Sequence, residues 1–421
     1  MKGIGKMKLN YFAAILAMTL PATMASAQNA RTLSALPPLD VDHPKADEMI
    51  ELGRQLFFDP RLSGHSSTSC AECHDPRYGF GDAAELSRGY PGTKHWRNSQ
   101  TIINTAYLTG GLHWDASVPS LLHQVPGAMG TSVVGNIDVT MAEERLRQIP
   151  AYVESFERIW NKEPGMDEIS EAIAAYESTL VSTDSAFDQF ARGSAPLDNE
   201  AGRGYLIFMG KGNCVACHNG MLATDESFHN TSVPPNPSFT EDPLLQVTFR
   251  VMMRGFGINE EVYSTFDRDP GRFISTENPD HLGELRTAPL RYLKYTAPYM
   301  HNGVFYTLEE VVDFYNEGGT PDVFGTKSPL IKPLGLSDRD KSDLVAFLES
   351  MSGTEISTEY PELPDYETLA FPKRAFSSGA EISAQLKIVE ETPENASSPI
   401  NTGVSGLESK SDGLTILPSD G

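Results

Sequence analysis

All four cysteines of the chain, Cys70, Cys73, Cys214 and Cys217, stand in the pattern Cys-x-x-Cys-His: CAECH at 70–74 and CVACH at 214–218. Such pairs can close disulfides in an exported protein, supply thiolates to zinc, or act in thioredoxin-like exchange. The last of these needs a βαβ setting that this chain lacks. The histidine directly after each pair points elsewhere, because a covalently attached c-type haem requires two thioether bonds and an adjacent imidazole. The favoured reading is two haems, one on Cys70 and Cys73 with His74 and one on Cys214 and Cys217 with His218. Disulfide or zinc use stands as the alternative.

An iron with one imidazole has a second face, and the occupant of that face strongly controls potential and reactivity. Residues 297–316, APYMHNGVFYTLEEVVDFYN, offer Met300, His301, Tyr306 and Tyr315 within one short stretch. Read alone, Tyr315 is a core tyrosine, since it shares helical spacing with Leu308 and Val311. Met252 and Met253 are soft donors, but methionine is more often packing.

Helices must position these residues. DEMIELGRQLFF keeps a helical period up to Asp59-Pro60; MAEERLRQIPAYVESFERIW is amphipathic around a break at Pro150; residues 167–191 repeat apolar side chains at helical spacing. A helix over EAGRGYLIFMGKG leads into the second motif, and an irregular, proline-containing region spans 230–300. Thr307 and Glu310 have capping-box spacing ahead of Leu308, Val311, Val312 and Tyr315, and Ser337 caps a helix that aligns Leu344, Phe347, Leu348 and Met351. Strand patterns are scarce. The expected fold is mainly α, with two tandem cytochrome c-like haem domains and long irregular loops.

The amino end carries Lys2, Lys6 and Lys8, then the apolar run YFAAILAMTL, then Ala25-Ser26-Ala27, the pattern of a secretory signal cleaved after Ala27. No later segment approaches the roughly eighteen apolar residues of a membrane span. The predicted order is a signal peptide at 1–27, an arm at 28–46, a first haem unit at 47–192 and a second at 193–355. An acidic, Ser-rich tail at 356–421 is expected to be disordered. GSAPLDNEA marks the boundary between the units. A formal charge of −24 argues against nucleic acid and anionic membrane as partners, and leaves a protein partner in the periplasm.

The arrangement resembles the bacterial di-haem cytochrome c peroxidase and MauG family over about residues 46–352. The resemblance rests on LGRQLFFDPRLS, WRNSQTIINTAY, the HWD at 113–115, LRTAPLRYLKYTAPYMHNG and TLEEVVDFY. It implies a mostly helical protein whose two haem domains meet around a calcium ion and a bridging tryptophan. That tryptophan is matched by Trp114, which an oxidisable indole suits as a relay. The calcium ligands are matched by Asn98, Thr296 and Pro298, an amide and two backbone carbonyls that are hard oxygen donors. Where the peroxidases place a methionine on the second haem iron, the count along TLEEVVDFY gives Tyr315, as in MauG-like members. Met300 is not made a ligand, and His301 is placed near the haem edge.

Two departures are visible. The peroxidases' displaceable histidine on the first haem finds RGYPGTKHWRNS, with Tyr90 near the expected spacing and His95 read as an exposed loop residue. Gln124 matches a distal glutamine. The family's acid-base glutamate before Met-Gly is replaced by Ala128, with His123 or Asp138 as substitutes.

The resemblance thus implies a periplasmic enzyme that uses hydrogen peroxide to oxidise aromatic residues of a secreted partner protein through high-valent haem. The alternative is a peroxidase that takes electrons from a small cytochrome or cupredoxin. A third reading is a non-enzymatic electron carrier.

Overall fold

A computed structural model describes residues 32–368 together with the backbone of 415–418. The expected signal peptide and most of the expected tail lie outside the described residues. The remainder is mainly helical, with three two-stranded sheets among the described residues.

Two helix crossings organise it, and a glycine makes each possible. Helix Ala46–Phe58 packs against Met166–Ser178 so closely that a Cβ on Gly53 would fall 1.8 Å from the Ala172 carbonyl oxygen. Around them lies a first core that includes Met49, Leu56, Phe57, Tyr152, Phe156 and Ile173. Helix Asn199–Met209 meets Asp338–Ser350 the same way, with a Cβ on Gly204 falling 1.9 Å from the Asp343 carbonyl oxygen. That crossing anchors a second core with Phe208, Leu308, Val312, Leu344, Phe347 and Met351. The same device therefore recurs ahead of each Cys-x-x-Cys-His.

Local rules set the helix ends. Thr307 and Glu310 form the expected reciprocal capping box, and Gly318 ends that helix in the left-handed region at φ +85. Ser337 caps through Asp340. Pro150 opens helix Pro150–Trp160, where a missing N–H costs nothing.

Three segments differ from expectation. The 230–300 region is not irregular throughout: Pro243–Gly255 is a helix whose inner face, Leu245, Phe249 and Met253, joins Trp96 and Tyr263 in a third core. The short helix Ala186–Ala191, counted with the first unit, gives Phe187 to the second core. The tail does not leave the surface at 356: Tyr360 stacks obliquely on Phe58 at 4.7 Å, Arg61 donates to the Pro364 carbonyl at 2.7 Å, and Glu367 N–H donates to Gln148 O at 3.0 Å.

Segment 286–303 runs along the seam. Tyr292 is buried in the first core while Leu290, Leu293 and Tyr299 pack on the second.

Candidate functional site

Both Cys-x-x-Cys-His motifs fold into one tight turn. His74 N–H donates to Cys70 O at 3.0 Å and His218 N–H to Cys214 O at 2.9 Å, which gathers each cysteine pair and its histidine. Each imidazole is then fixed by its Nδ1, which meets Phe80 O at 3.2 Å in the first motif and Ala223 O at 3.0 Å in the second. A carbonyl only accepts, so Nδ1 carries the proton and Nε2 keeps its lone pair. This is the arrangement a metal-binding histidine needs.

A continuous cavity of about 2870 Å³ is lined by all four cysteines and by His74, His218, Trp114 and Tyr315. That far exceeds the roughly 300–1,000 Å³ of a pocket for one ordinary small ligand. Burial pushes the Cys70, Cys73 and Cys214 thiols up to about 12 and Cys217 to about 11, so the sulfurs are neutral. Neutral sulfurs, a free Nε2 at each motif and this volume fit two covalently held haems.

Trp114 is held from both halves of the chain. Its Nε1–H donates to Asn98 O at 3.0 Å, its carbonyl accepts Arg286 N–H at 2.7 Å, and its ring meets His301 edge-on at 6.3 Å. Beneath it, buried Arg97 bonds Asp115 at 2.8 Å and Asp269 at 2.6 Å. Burial alone would raise both acids, but the guanidinium holds each below its ordinary range. His301 is half-buried near Asp269 and Arg97, and desolvation takes its pKa down to about 4.

The other expected residues fall as follows. Tyr315 lines the cavity together with Cys214 and Cys217, and burial pushes its phenol up to about 12. Asn98 gives its amide Nδ2 to Ala84 O at 2.8 Å and its N–H to His301 O at 2.6 Å, so it lies beside the segment holding Thr296 and Pro298. All three line the cavity. Met300 does too, whereas Met253 is core. Among the described residues the donor atoms of Cys217, Asp225 and His229 also converge within 4.8 Å, but Cys217 belongs to the second motif.

Around His74 the expectations need correction. His95 is not an exposed loop residue: it is half-buried, stacks on Trp96 at 4.0 Å and lines the cavity. Its Nδ1 accepts Arg97 N–H at 3.1 Å, which places the ring proton on Nε2 and removes that lone pair from metal binding. Asp138 is spent as the exposed N-cap of helix Val139–Arg147 and does not reach the cavity. Gln124, His123 and Ala128 share helix Leu121–Gly130 and line the cavity, with His123 Nδ1 held by Ser120 Oγ at 2.7 Å.

Two cavity residues carry no role in the sequence reading. His113 Nδ1 meets Ser117 Oγ at 3.1 Å, and the ring lines the cavity together with Gln124. Glu177 is buried, and burial pushes it up to about 8. The first was legible as the residue before Trp114 in HWD; nothing in the helical pattern marked the second.

A sequence profile described as di-haem cytochrome c peroxidase matches residues 47–196. The chain is 46% identical over 380 residues to cytochrome-c peroxidase IdrP1 of Denitromonas iodatirespirans, covering 87% of this chain and 100% of the relative. It is 31% identical to the methylamine utilization protein MauG of Methylorubrum extorquens, over 78% of this chain and 86% of that one. A crystal structure of a MauG-like protein associated with microbial copper homeostasis superposes with a TM-score of 0.64 at 28% identity, over 76% of this chain and 94% of that one.

Proposed function

The chain belongs to the di-haem cytochrome c peroxidase and MauG family, an oxidoreductase family with two haems, and on that premise we propose that it reduces hydrogen peroxide with electrons drawn from a protein partner in the periplasm. In this reading Cys70 and Cys73 carry one haem and Cys214 and Cys217 the other, each as thioethers, with His74 and His218 as proximal ligands. Bound haem iron supplies the two-electron reduction of peroxide and the storage of oxidising equivalents.

The chain's own residues do the rest. The Phe80 and Ala223 carbonyls fix the ligating faces of the two histidines. Trp114, locked by Asn98 and Arg286, supplies an oxidisable ring between residues of both halves. Gln124 presents an amide to the pocket that His74 shares. Asn98 and the backbone of Thr296 and Pro298 are the proposed calcium set, hard oxygens that would tie the two segments together.

The observation that carries the proposal is the single cavity lined by both motifs and by Trp114. The peroxidase names of the more similar relatives favour a small cytochrome or cupredoxin as the partner. A second reading, oxidation of aromatic residues in a secreted protein, is favoured by Tyr315, rather than a methionine, lining the cavity with the second motif.

The test is stopped-flow spectroscopy of the two-haem protein with peroxide, with and without a reduced small cytochrome. Catalytic oxidation of the cytochrome supports the peroxidase. A long-lived oxidised state without turnover, lost in Trp114→Phe, supports the second reading. An unchanged spectrum overturns both.

A further inference from the structure

His113 owes its position to strain that the fold holds in place. Its φ of +69 lies in the left-handed region, which a histidine occupies only at a cost of order 1–3 kcal/mol. The turn is clamped on both sides. Leu112 N–H donates to Val118 O at 2.6 Å, and the Arg286 guanidinium donates to His113 O at 3.3 Å while Arg286 N–H holds Trp114 O. The result is an exposed imidazole that lines the cavity together with Gln124, its Nδ1 3.1 Å from Ser117 Oγ.

Two candidates near His74 drop out: Asp138 is a surface cap, and the Nδ1 of His95 is committed to Arg97 N–H. Ala128, on the same helix as Gln124, has nothing to titrate. His113, unlike His123 and Glu177, is held at the cavity wall by a strained turn clamped from the other half of the chain.

We propose that His113 is the proton-carrying catalytic residue of the peroxide pocket, with Ser117 as its positioning residue. The proposal rests on the peroxide-reducing reading. Reduction of one peroxide to two waters takes up two electrons and two protons. His113 accepts the proton from the inner peroxide oxygen and returns it to the outer one. The O–O bond then breaks, with its electron pair leaving on the outer oxygen as water. Bound haem would supply the two electrons, restored by the protein donor, and with two solvent protons the remaining oxygen would leave as the second water. His113 ends as it began.

The charges around the ring suit this. The surrounding protein lowers the ring's pKa even though its surface opens on the cavity; Asp115 opposes that, while Arg97 and Arg286 reinforce it, with His74 and His95 also in electrostatic reach.

The test uses the two-haem protein and three variants, His113→Leu, His113→Asn and His113→Glu, the second chosen because asparagine tolerates the left-handed backbone; the first two remove the ring. Peroxide reaction at the first haem should slow 10²–10⁴-fold in both, the range ascribed to general acid-base catalysis. Independently of turnover, cyanide binding to the ferric protein should show a pH inflection in the parent, from deprotonation of hydrogen cyanide by the pocket base, and none in either variant. His113→Glu should restore part of both. Parent-like peroxide rates, or parent-like cyanide profiles, in a folded His113→Asn protein overturn the assignment and leave the peroxidase reading standing. A parent that ignores peroxide overturns that reading and the assignment with it.

Discussion

Glu177 stands in the cavity wall near Cys70 with no cation beside it to steady a negative charge, and burial alone raises its pKa from 4.5 to about 8. A carboxyl that binds its proton more tightly in the folded chain stabilises the fold most below its unfolded pKa. That contribution is lost as pH rises towards the folded one, at about 1.4 kcal/mol per pH unit between them. Glu177→Gln should therefore become progressively more stable than the parent from pH 4.5 to 8, by up to several kcal/mol. Urea unfolding of the two-haem proteins across that range measures the difference, and parallel pH curves would show that Glu177 is ionised. At this scale the sequence spoke unevenly. The cysteines and their histidines were legible because covalent haem demands adjacency along the chain. His95, His113 and Asp138 were not, because what a ring or carboxylate can do depends on which backbone groups reach it across a turn. For His113, a left-handed residue clamped by Arg286 173 positions away, no local pattern could announce that.

The helix pairs make a sharper distinction among glycines. In helix Asn199–Met209, Gly204 faces the Asp343 carbonyl with no room for a methyl, whereas a Cβ on Gly202, two residues earlier, meets nothing within 4 Å. Gly204→Ala should lower stability by at least about 1–3 kcal/mol from overpacking. Gly202→Ala should raise it by up to about 1 kcal/mol from helix propensity. Thermal unfolding of the two variants checks both signs, and Gly53→Ala in the first unit should behave as Gly204→Ala does. Most helices were readable from their period and caps, including Thr307 with Glu310 and Ser337 with Asp340. The helix Pro243–Gly255 was not, since PLLQVTFRVMMRG is apolar on more than one side: Leu245, Phe249 and Met253 are buried, yet Leu244, Val247 and Val251 are exposed. Such a broad apolar face hides which side is buried, and neighbouring prolines disguised the rest.

Across the whole molecule, Arg97 joins the halves by pairing Asp115 with Asp269 in a buried cluster. Arg97→Met would leave two buried carboxylates without their counter-charge, and should cost on the order of 3–5 kcal/mol at neutral pH. In the parent, Asp115 and Asp269 ionise below their ordinary range, so their contribution persists above the unfolded value of 3.8 and fades only as pH falls through the folded one. The variant should do the opposite and recover stability as mild acid neutralises the stranded pair. Denaturation at pH 7 and pH 5 compares the two. The ends of the described chain tie the halves further, each to the opposite one. Near the amino end, Ser34 bonds Gly220 and Arg291; towards the other end, residues 359–367 lie on the 46–58 helix and its neighbours. This crossing orders events in time. A chain made from its amino end must hold residues 32–36 in waiting until position 291 exists, and the first half lacks its outer cover until position 367 does. Neither clasp can close early, so an interval is built into the growing chain during which both cysteine pairs exist but the fastenings around them are still open.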